Sequence, residues 1–243
     1  MIELSVIVPS YNEERNINEI ITQINGFLLS EHINGEIILV DDGSTDNTRG
    51  IAEALAGTIP SLKVIVQPQN MGKGAAVKRG VEVAAGKKIL FTDCDLAYSL
   101  DHIPQALKLN ADVVVGSRIM PDSKYILNYK AFNTIYIRHL TSRIYNAYVR
   151  MLLGIKHKDT QCGFKLFEQS AAKRLFPKLT RQRFSFDTEL LYLVKKFCVS
   201  ITEMPVRVEY DRITSVKLFR DSLFMFKDVL AILYHNFRGT YND

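Results

Sequence analysis

The chain has 243 residues, 47% hydrophobic and 23% charged, with 13 Gly and 7 Pro, a balance that excludes disordered, collagenous and low-complexity classes. Its net charge of +5 conceals a division: residues 1–117 carry 9 Lys+Arg against 15 Asp+Glu, residues 118–220 carry 20 against 8, and residues 221–243 carry 2 against 3. Either the basic stretch meets an anionic partner (phosphate, nucleic acid or a lipid headgroup surface), or its charges are solvated helix faces.

The first half alternates short apolar runs with helical patterns. Residues 4–9 (LSVIVP), 36–42 (EIILVDD), 62–67 (LKVIVQ), 87–93 (KKILFTD) and 112–117 (DVVVGS) are continuous Val/Ile/Leu runs of the kind that strands buried on both faces require. Between the first two, Ile17, Ile20, Ile21, Ile24, Phe27 and Leu28 recur at helical spacing, and residues 52–55 and 75–85 continue the theme. Strand alternating with helix predicts an α/β fold: an open, Rossmann-like, mostly parallel sheet with helices on both faces. The length suits one domain over residues 1–243, with an acidic first half (1–117) and a basic second half (118–243).

In such sheets ligands bind beyond the carboxyl ends of the strands, and the polar motifs of this chain sit there: PSYNE at 9–13, DDGSTD at 41–46, NMGKG at 70–74, DCD at 93–95 and GSR at 116–118. Asp93 and Asp95, one residue apart at a strand end, point the same way in an extended chain and suit a hard divalent cation, Mg2+ or Mn2+, shared with a diphosphate. Asp41 and Asp42 form a tight turn that also offers acceptors to a base or ribose. NMGKG lacks the upstream Gly and the Ser/Thr of a Walker A loop, but Lys73 remains a phosphate ligand candidate. HExxH, GxSxG and EF-hand patterns are absent and the five His are scattered, which argues against hydrolase triads and zinc enzymes.

Beyond residue 118 a Tyr-rich, basic stretch runs over 125–153, with Tyr125, Tyr129, Phe132 and Tyr136 on one helical face and Lys130, Arg138, Arg143 and Arg150 along it. That face is either core or a surface laid on anionic headgroups. DTQCGFK follows at 159–165, then a strand over 201–210 interrupted by Pro205 and a closing amphipathic helix over 222–234. Cys94, Cys162 and Cys198 form no CxxC pair, which argues against disulfides or zinc and for a reducing compartment. No apolar stretch approaches the ~18 residues of a membrane span, and no signal-peptide core opens the chain. The expected location is therefore cytoplasmic.

Taken in order, VIVPSYNEE, ILVDDGSTDNT, NMGKGAAVKRG, LFTDCDLA and VVGSR resemble the family 2 glycosyltransferases of GT-A fold, in particular their polyprenyl-phosphate branch. The resemblance covers residues 4–218, and DTQCGFK with FSFD at 184–187 looks closer to the glucosyl than to the mannosyl members. It implies inverting, metal-dependent transfer of a hexose, glucose from UDP-glucose being favoured over mannose from GDP-mannose, to a polyprenyl or dolichyl monophosphate. The other outcome is family 2 transfer to a glycan hydroxyl, with Asp159 or Asp187 as general base. By position, Pro9, Tyr11, Glu13, Val40 and Asp42 would hold base and ribose, with Lys73 also on the nucleotide sugar. Asp93, Cys94 and Asp95 would span ribose, metal and diphosphate, and Arg118 would sit near the transferred sugar. Arg138 and Gln161 would meet the acceptor phosphate, and Arg212 and Lys217 would close over the diphosphate. Ala97 replaces a polar metal ligand of some relatives, and the 212–217 segment lacks their Gly and Ser-Lys pair. Peripheral contact with the cytosolic face of a membrane is expected, and nucleic acid is not. A nucleotidyltransferase would carry a Gly-rich basic loop after the first strand, where PSYNEE stands; a non-catalytic membrane or nucleic-acid module would not place acids in its cleft.

Overall fold

A computed structural model describes residues 1–127, 132–210 and 218–242. In chain order the elements are β1 (Leu4–Ser10), α1 (Ile17–Ser30), β2 (Gly35–Asp41), α2 (Thr48–Ala56), β3 (Leu62–Val66), α3 (Lys73–Val83), β4 (Lys88–Phe91), α4 (His102–Leu107) and β5 (Val113–Ser117). The second half adds β6 (Lys124–Leu127), α5 (Phe132–Leu153), β7 (Lys165–Glu168), α6 (Gln169–Leu175), α7 (Phe186–Lys196), β8 (Ile201–Pro205), β9 (Arg207–Tyr210) and α8 (Leu218–Phe237).

Seven strands form one sheet in the order β3-β2-β1-β4-β7-β5-β8, parallel throughout except for β7, which runs antiparallel to both neighbours. β1 and β5 are buried at every position because strands flank them and helices cover both faces. One face packs Ile20, Ile21 and Ile24 of α1 on Leu4, Val6 and Val8; the other packs Ala76 and Val77 of α3 and Leu190 of α7 on Ile7, Ile38 and Phe91. Burying each of these Val, Leu, Ile and Phe side chains contributes about 1.5–3 kcal/mol.

The departures from expectation lie mostly in the second half. Tyr125 is in β6, which pairs in parallel with β9 as a small second sheet, so it does not share a helical face with Tyr136. The 201–210 run divides at Pro205 into β8 and β9, because Pro205 ends one ladder and the chain crosses to another. β7 was not foreseen from the sequence. Tyr129 and Lys130 lie outside the described residues, as do the side chains of Phe132 and Tyr136. Of the described part of α5, Tyr145, Val149 and Leu153 are core, whereas Arg143, Ile144, Arg150 and Met151 are exposed.

Among the described residues, no helix is long and apolar enough to cross a membrane.

Candidate active site

Strand order reverses between β1 and β4, whose carboxyl ends carry PSYNEE and DCD side by side. This is the switch point at which open α/β sheets bind ligands. Side-chain to backbone hydrogen bonds lace the surrounding loops together. The Asn12 N–H donates to Ser44 Oγ (2.9 Å), Thr45 N–H to Asn12 Oδ1 (2.8 Å), Glu13 N–H to Thr48 Oγ1 (2.7 Å) and Asn47 N–H to Glu14 Oε2 (3.0 Å). PSYNEE and DDGSTDNT are therefore one rigid unit.

Asp42 ties in the third loop. Its buried carboxylate accepts from Gln67 Nε2 (2.6 Å), Met71 N (2.8 Å) and Gly72 N (2.8 Å), so its oxygens hold the loop ahead of α3. Gly72 adopts φ +103°, and a Cβ there would lie 2.7 Å from the Gln182 carbonyl, which is why only glycine can lead into this helix. Asp41 accepts from the Ser44 amide and hydroxyl. Pro9 is buried in β1, Tyr11 is exposed beside it, and Glu13 accepts from Asn16 Nδ2 at 2.9 Å. Val40 has no exposed surface and belongs to the core, so only its backbone is at the strand end.

The DCD loop begins two residues after β4, where the expected strand extends too far by Thr92 and Asp93. Lys73, the first residue of α3, is ion-paired with Asp93, and its ammonium lies 5.9 Å from the ring centres of both Phe91 and Phe186. Burial alone would lower the Lys73 pKa, but Asp93, Asp187 and Asp95 lift it above the ordinary lysine value. Gly163 lies against Asp93: a Cβ on it would overlap the carboxylate. Asp95 has an exposed edge and accepts from the Ala97 N–H at 3.1 Å. Desolvation by the surrounding loop and then the like charge of Asp93 push its carboxyl up. Cys94, between them, packs into the core on the α1 side.

These two carboxylates pass the test of fit for a hard cation: both donors are oxygen, and they are close enough to perturb one another. Among the described residues no group of three or more His, Cys, Asp and Glu gathers as a metal centre, so further ligands would be diphosphate oxygens and water. Ala97, buried, supplies no side-chain donor.

A second pair of charges lies deeper. Lys165, fully buried in β7, donates to Asp187 Oδ1 at 2.6 Å and stands 5.3 Å from the Phe91 ring centre. Arg118 meets Asp159 in a fork, Nε to Oδ2 at 2.8 Å and Nη2 to Oδ1 at 2.7 Å, while its own amide donates to Oδ2 at 2.9 Å. Burial alone would raise the Asp159 carboxyl; Arg118 outweighs it and holds the group below the ordinary carboxylate range. Cys162, fully buried among these charges, is pushed up to about 12 by desolvation and then by Asp159, so it is no nucleophile at neutral pH. Gln161 donates from its amide to Asp159 Oδ1 (3.3 Å) and from Nε2 toward Met225 Sδ on α8 (3.9 Å).

The structure thus gathers Asp93, Asp95, Lys73, Arg118, Asp159 and Asp187, with PSYNEE and DDGS packed on the same edge. Arg138 is on α5, with its side chain outside what is described; Arg212 and Lys217 lie outside the described residues. Sequence reasoning did not find Lys165 or the contact of Gly163 with Asp93. The usable signal for Lys165 was its place in DTQCGFK beside Phe164 and Leu166: a lysine opening an apolar strand needs a buried anion.

A mixed sheet whose switch point carries an acid-x-acid loop is the architecture of GT-A glycosyltransferases, and solved structures agree. Glucosyl-3-phosphoglycerate synthase from Mycobacterium tuberculosis, in complex with uridine diphosphate, superposes with a TM-score of 0.66 at 21% identity, covering 95% of this chain and 78% of that one. Mannosyl-3-phosphoglycerate synthase from Rubrobacter xylanophilus gives 0.70 at 17% identity, covering 98% and 74%. The chain belongs to glycosyl transferase family 2, whose family model matches residues 5–176, and it is a glycosyltransferase. Dolichyl-phosphate beta-glucosyltransferase of Dictyostelium discoideum is 34% identical over 98% of this chain and 76% of its own length. The Homo sapiens protein of that name is 33% identical over 98% and 77%.

Proposed function

We propose that this glycosyltransferase moves glucose from UDP-glucose to a polyprenyl or dolichyl monophosphate, with inversion at the anomeric carbon. The observation that carries the reading is the engagement of Asp159 and Asp187. Both stand where a general base for a hydroxyl acceptor would be sought, yet one is clamped by Arg118 and the other by Lys165. An acceptor that is already anionic needs no base. A phosphate oxygen attacks C1, the C1–O bond to the nucleotide breaks, and its electron pair leaves on the diphosphate; no proton changes hands. The names of the relatives support glucose and dolichyl phosphate as the reacting pair.

The electrostatics favour a cation cofactor. The cluster of Asp93, Asp95, Asp159 and Asp187 against Lys73, Lys165 and Arg118 sums to −1, a poor host for a diphosphate on its own. Asp93 and Asp95 would hold Mg2+ or Mn2+, which when bound neutralises charge on the departing nucleotide. PSYNEE and DDGS would frame base and ribose, with Pro9, Tyr11, Glu13 and Asp42 at their rim and the backbones of Val40 and Cys94 beside them. Arg118 would face the sugar. Arg138 and Gln161 would receive the lipid phosphate, with Arg212 and Lys217 on the diphosphate, the whole chain forming one catalytic domain.

Contact with a membrane surface fits the exposed, mixed face of α5, where Ile144 and Met151 stand beside Arg143, Arg150 and the nearby Lys156. The cytosolic side is the expected one.

The test is an assay of UDP-glucose and GDP-mannose against dolichyl phosphate and a simple glycan acceptor, with the product anomer determined. Beta-linked glucosyl phosphate is expected. Preferred transfer to the glycan hydroxyl, or a retained anomer, refutes the reading.

A further inference from the structure

The pairing of Lys73 with Asp93 has a consequence for how a cation reaches this site. Asp93 has two carboxylate oxygens. One is held by the ammonium of Lys73, and the other is pressed against Gly163. A divalent ion seeking Asp93 and Asp95 together therefore finds a resident positive charge in its way.

Lys73 is held in that posture from several sides. The α3 start is fixed by Gly72 N–H to Asp42 and by Ala75 N–H to the Gln182 carbonyl at 3.0 Å, and the ammonium faces the rings of Phe91 and Phe186. Asp187, another carboxylate whose charge acts on Lys73, is already bonded to Lys165 at 2.6 Å. An ammonium driven off Asp93 thus needs a new anion, and an incoming diphosphate is one.

We propose that Lys73 is the resident counter-ion of Asp93 and couples cation binding to nucleotide-diphosphate binding. Without nucleotide, the ion must displace Lys73 and binds weakly; with nucleotide, Lys73 transfers to a diphosphate oxygen and frees Asp93. The inference rests on the reading of Asp93 and Asp95 as the cation ligands. It concerns the order of assembly, so binding tests it without turnover.

The experiment is a titration of Mn2+ followed by the electron paramagnetic resonance signal of the free ion, with and without saturating UDP. Wild type, Lys73→Met, Lys73→Gln, Lys73→Arg and Asp95→Ala are compared, each first checked by its melting temperature. Lys73→Met and Lys73→Gln are expected to bind Mn2+ alone about 10-fold more tightly than wild type, and the enhancement by UDP is expected to shrink by about 10-fold. Lys73→Arg, keeping the charge, should retain weak cation-only binding. Unchanged Mn2+ affinity in both neutral variants, or an undiminished effect of UDP, overturns the coupling; if only one neutral variant folds, that one decides. Asp95→Ala separates the two readings. If it binds Mn2+ with UDP as wild type does, the cation site itself is misassigned; if it loses Mn2+ while the neutral Lys73 variants behave as wild type, only the role of Lys73 fails.

Discussion

Arg118 and Asp159, 41 residues apart in sequence, close on one another through three hydrogen bonds between 2.7 and 2.9 Å, two from the guanidinium and one from the Arg118 amide. The pair pins the loop after β5 to the loop that carries Gln161, Cys162 and Gly163. It therefore sets both the direction of Arg118 and the wall against which Asp93 rests.

Breaking that pair from the buried side removes the carboxylate that accepts both guanidinium bonds of the fork. Asp159→Ala is expected to cost about 3 kcal/mol of stability, read as a lower urea midpoint, because removing one partner of a buried, hydrogen-bonded pair is strongly destabilising. Arg118 is partly exposed, so water recovers some of the loss and keeps the effect from being larger. A midpoint within error of wild type would show that the fork contributes nothing to the fold.

The same pair gives a signed pH effect. The folded Asp159 carboxyl lies below its unfolded value, so its contribution is complete above the unfolded pKa of about 3.9 and is lost as pH falls below it. The stability gap between wild type and Asp159→Asn should accordingly be constant from pH 7 to 5 and narrow steadily below about pH 4. A gap that widens on acidification would contradict the assignment.

Gly163→Ala tests the wall. The added Cβ would overlap the Asp93 carboxylate and push it from its place. Transfer is expected to fall about 100-fold, the scale of a misplacement near 1 Å, with weaker Mn2+ binding and a nearly normal melting temperature. Wild-type turnover in this variant would mean that the position of Asp93 is not set by Gly163.

Much of the frame is legible in the sequence. β1, β2 and β5 announce themselves as continuous aliphatic runs because they are buried on both faces, β3 keeps the same aliphatic run although it is the half-exposed edge strand, and Ile17, Ile20, Ile21, Ile24 and Leu28 mark the buried stripe of α1. β7 was not legible: four residues beginning with Lys165 give no strand signal until Asp187, 22 positions away, is seen to neutralise the lysine. Tyr125 misled for a related reason, since an aromatic at helical spacing looks the same whether it belongs to a helix or, as here, to a strand. The motif loops do gather at one edge of the sheet, but the bonds that their side chains make depend on long-range partners. Asp42 proves to be engaged with the backbone of Met71 and Gly72, and Val40 to be core. No spacing rule reveals that Lys73 reaches Asp93.

The measurement that bears most directly on the whole account is glucosyl transfer to dolichyl phosphate as a function of Mn2+ or Mg2+, for wild type and Asp95→Ala. Chelation should abolish wild-type transfer reversibly, and Asp95→Ala should lose at least about 100-fold in kcat/KM at saturating cation while melting as wild type does. Wild-type rates from Asp95→Ala in the presence of chelator would contradict the account.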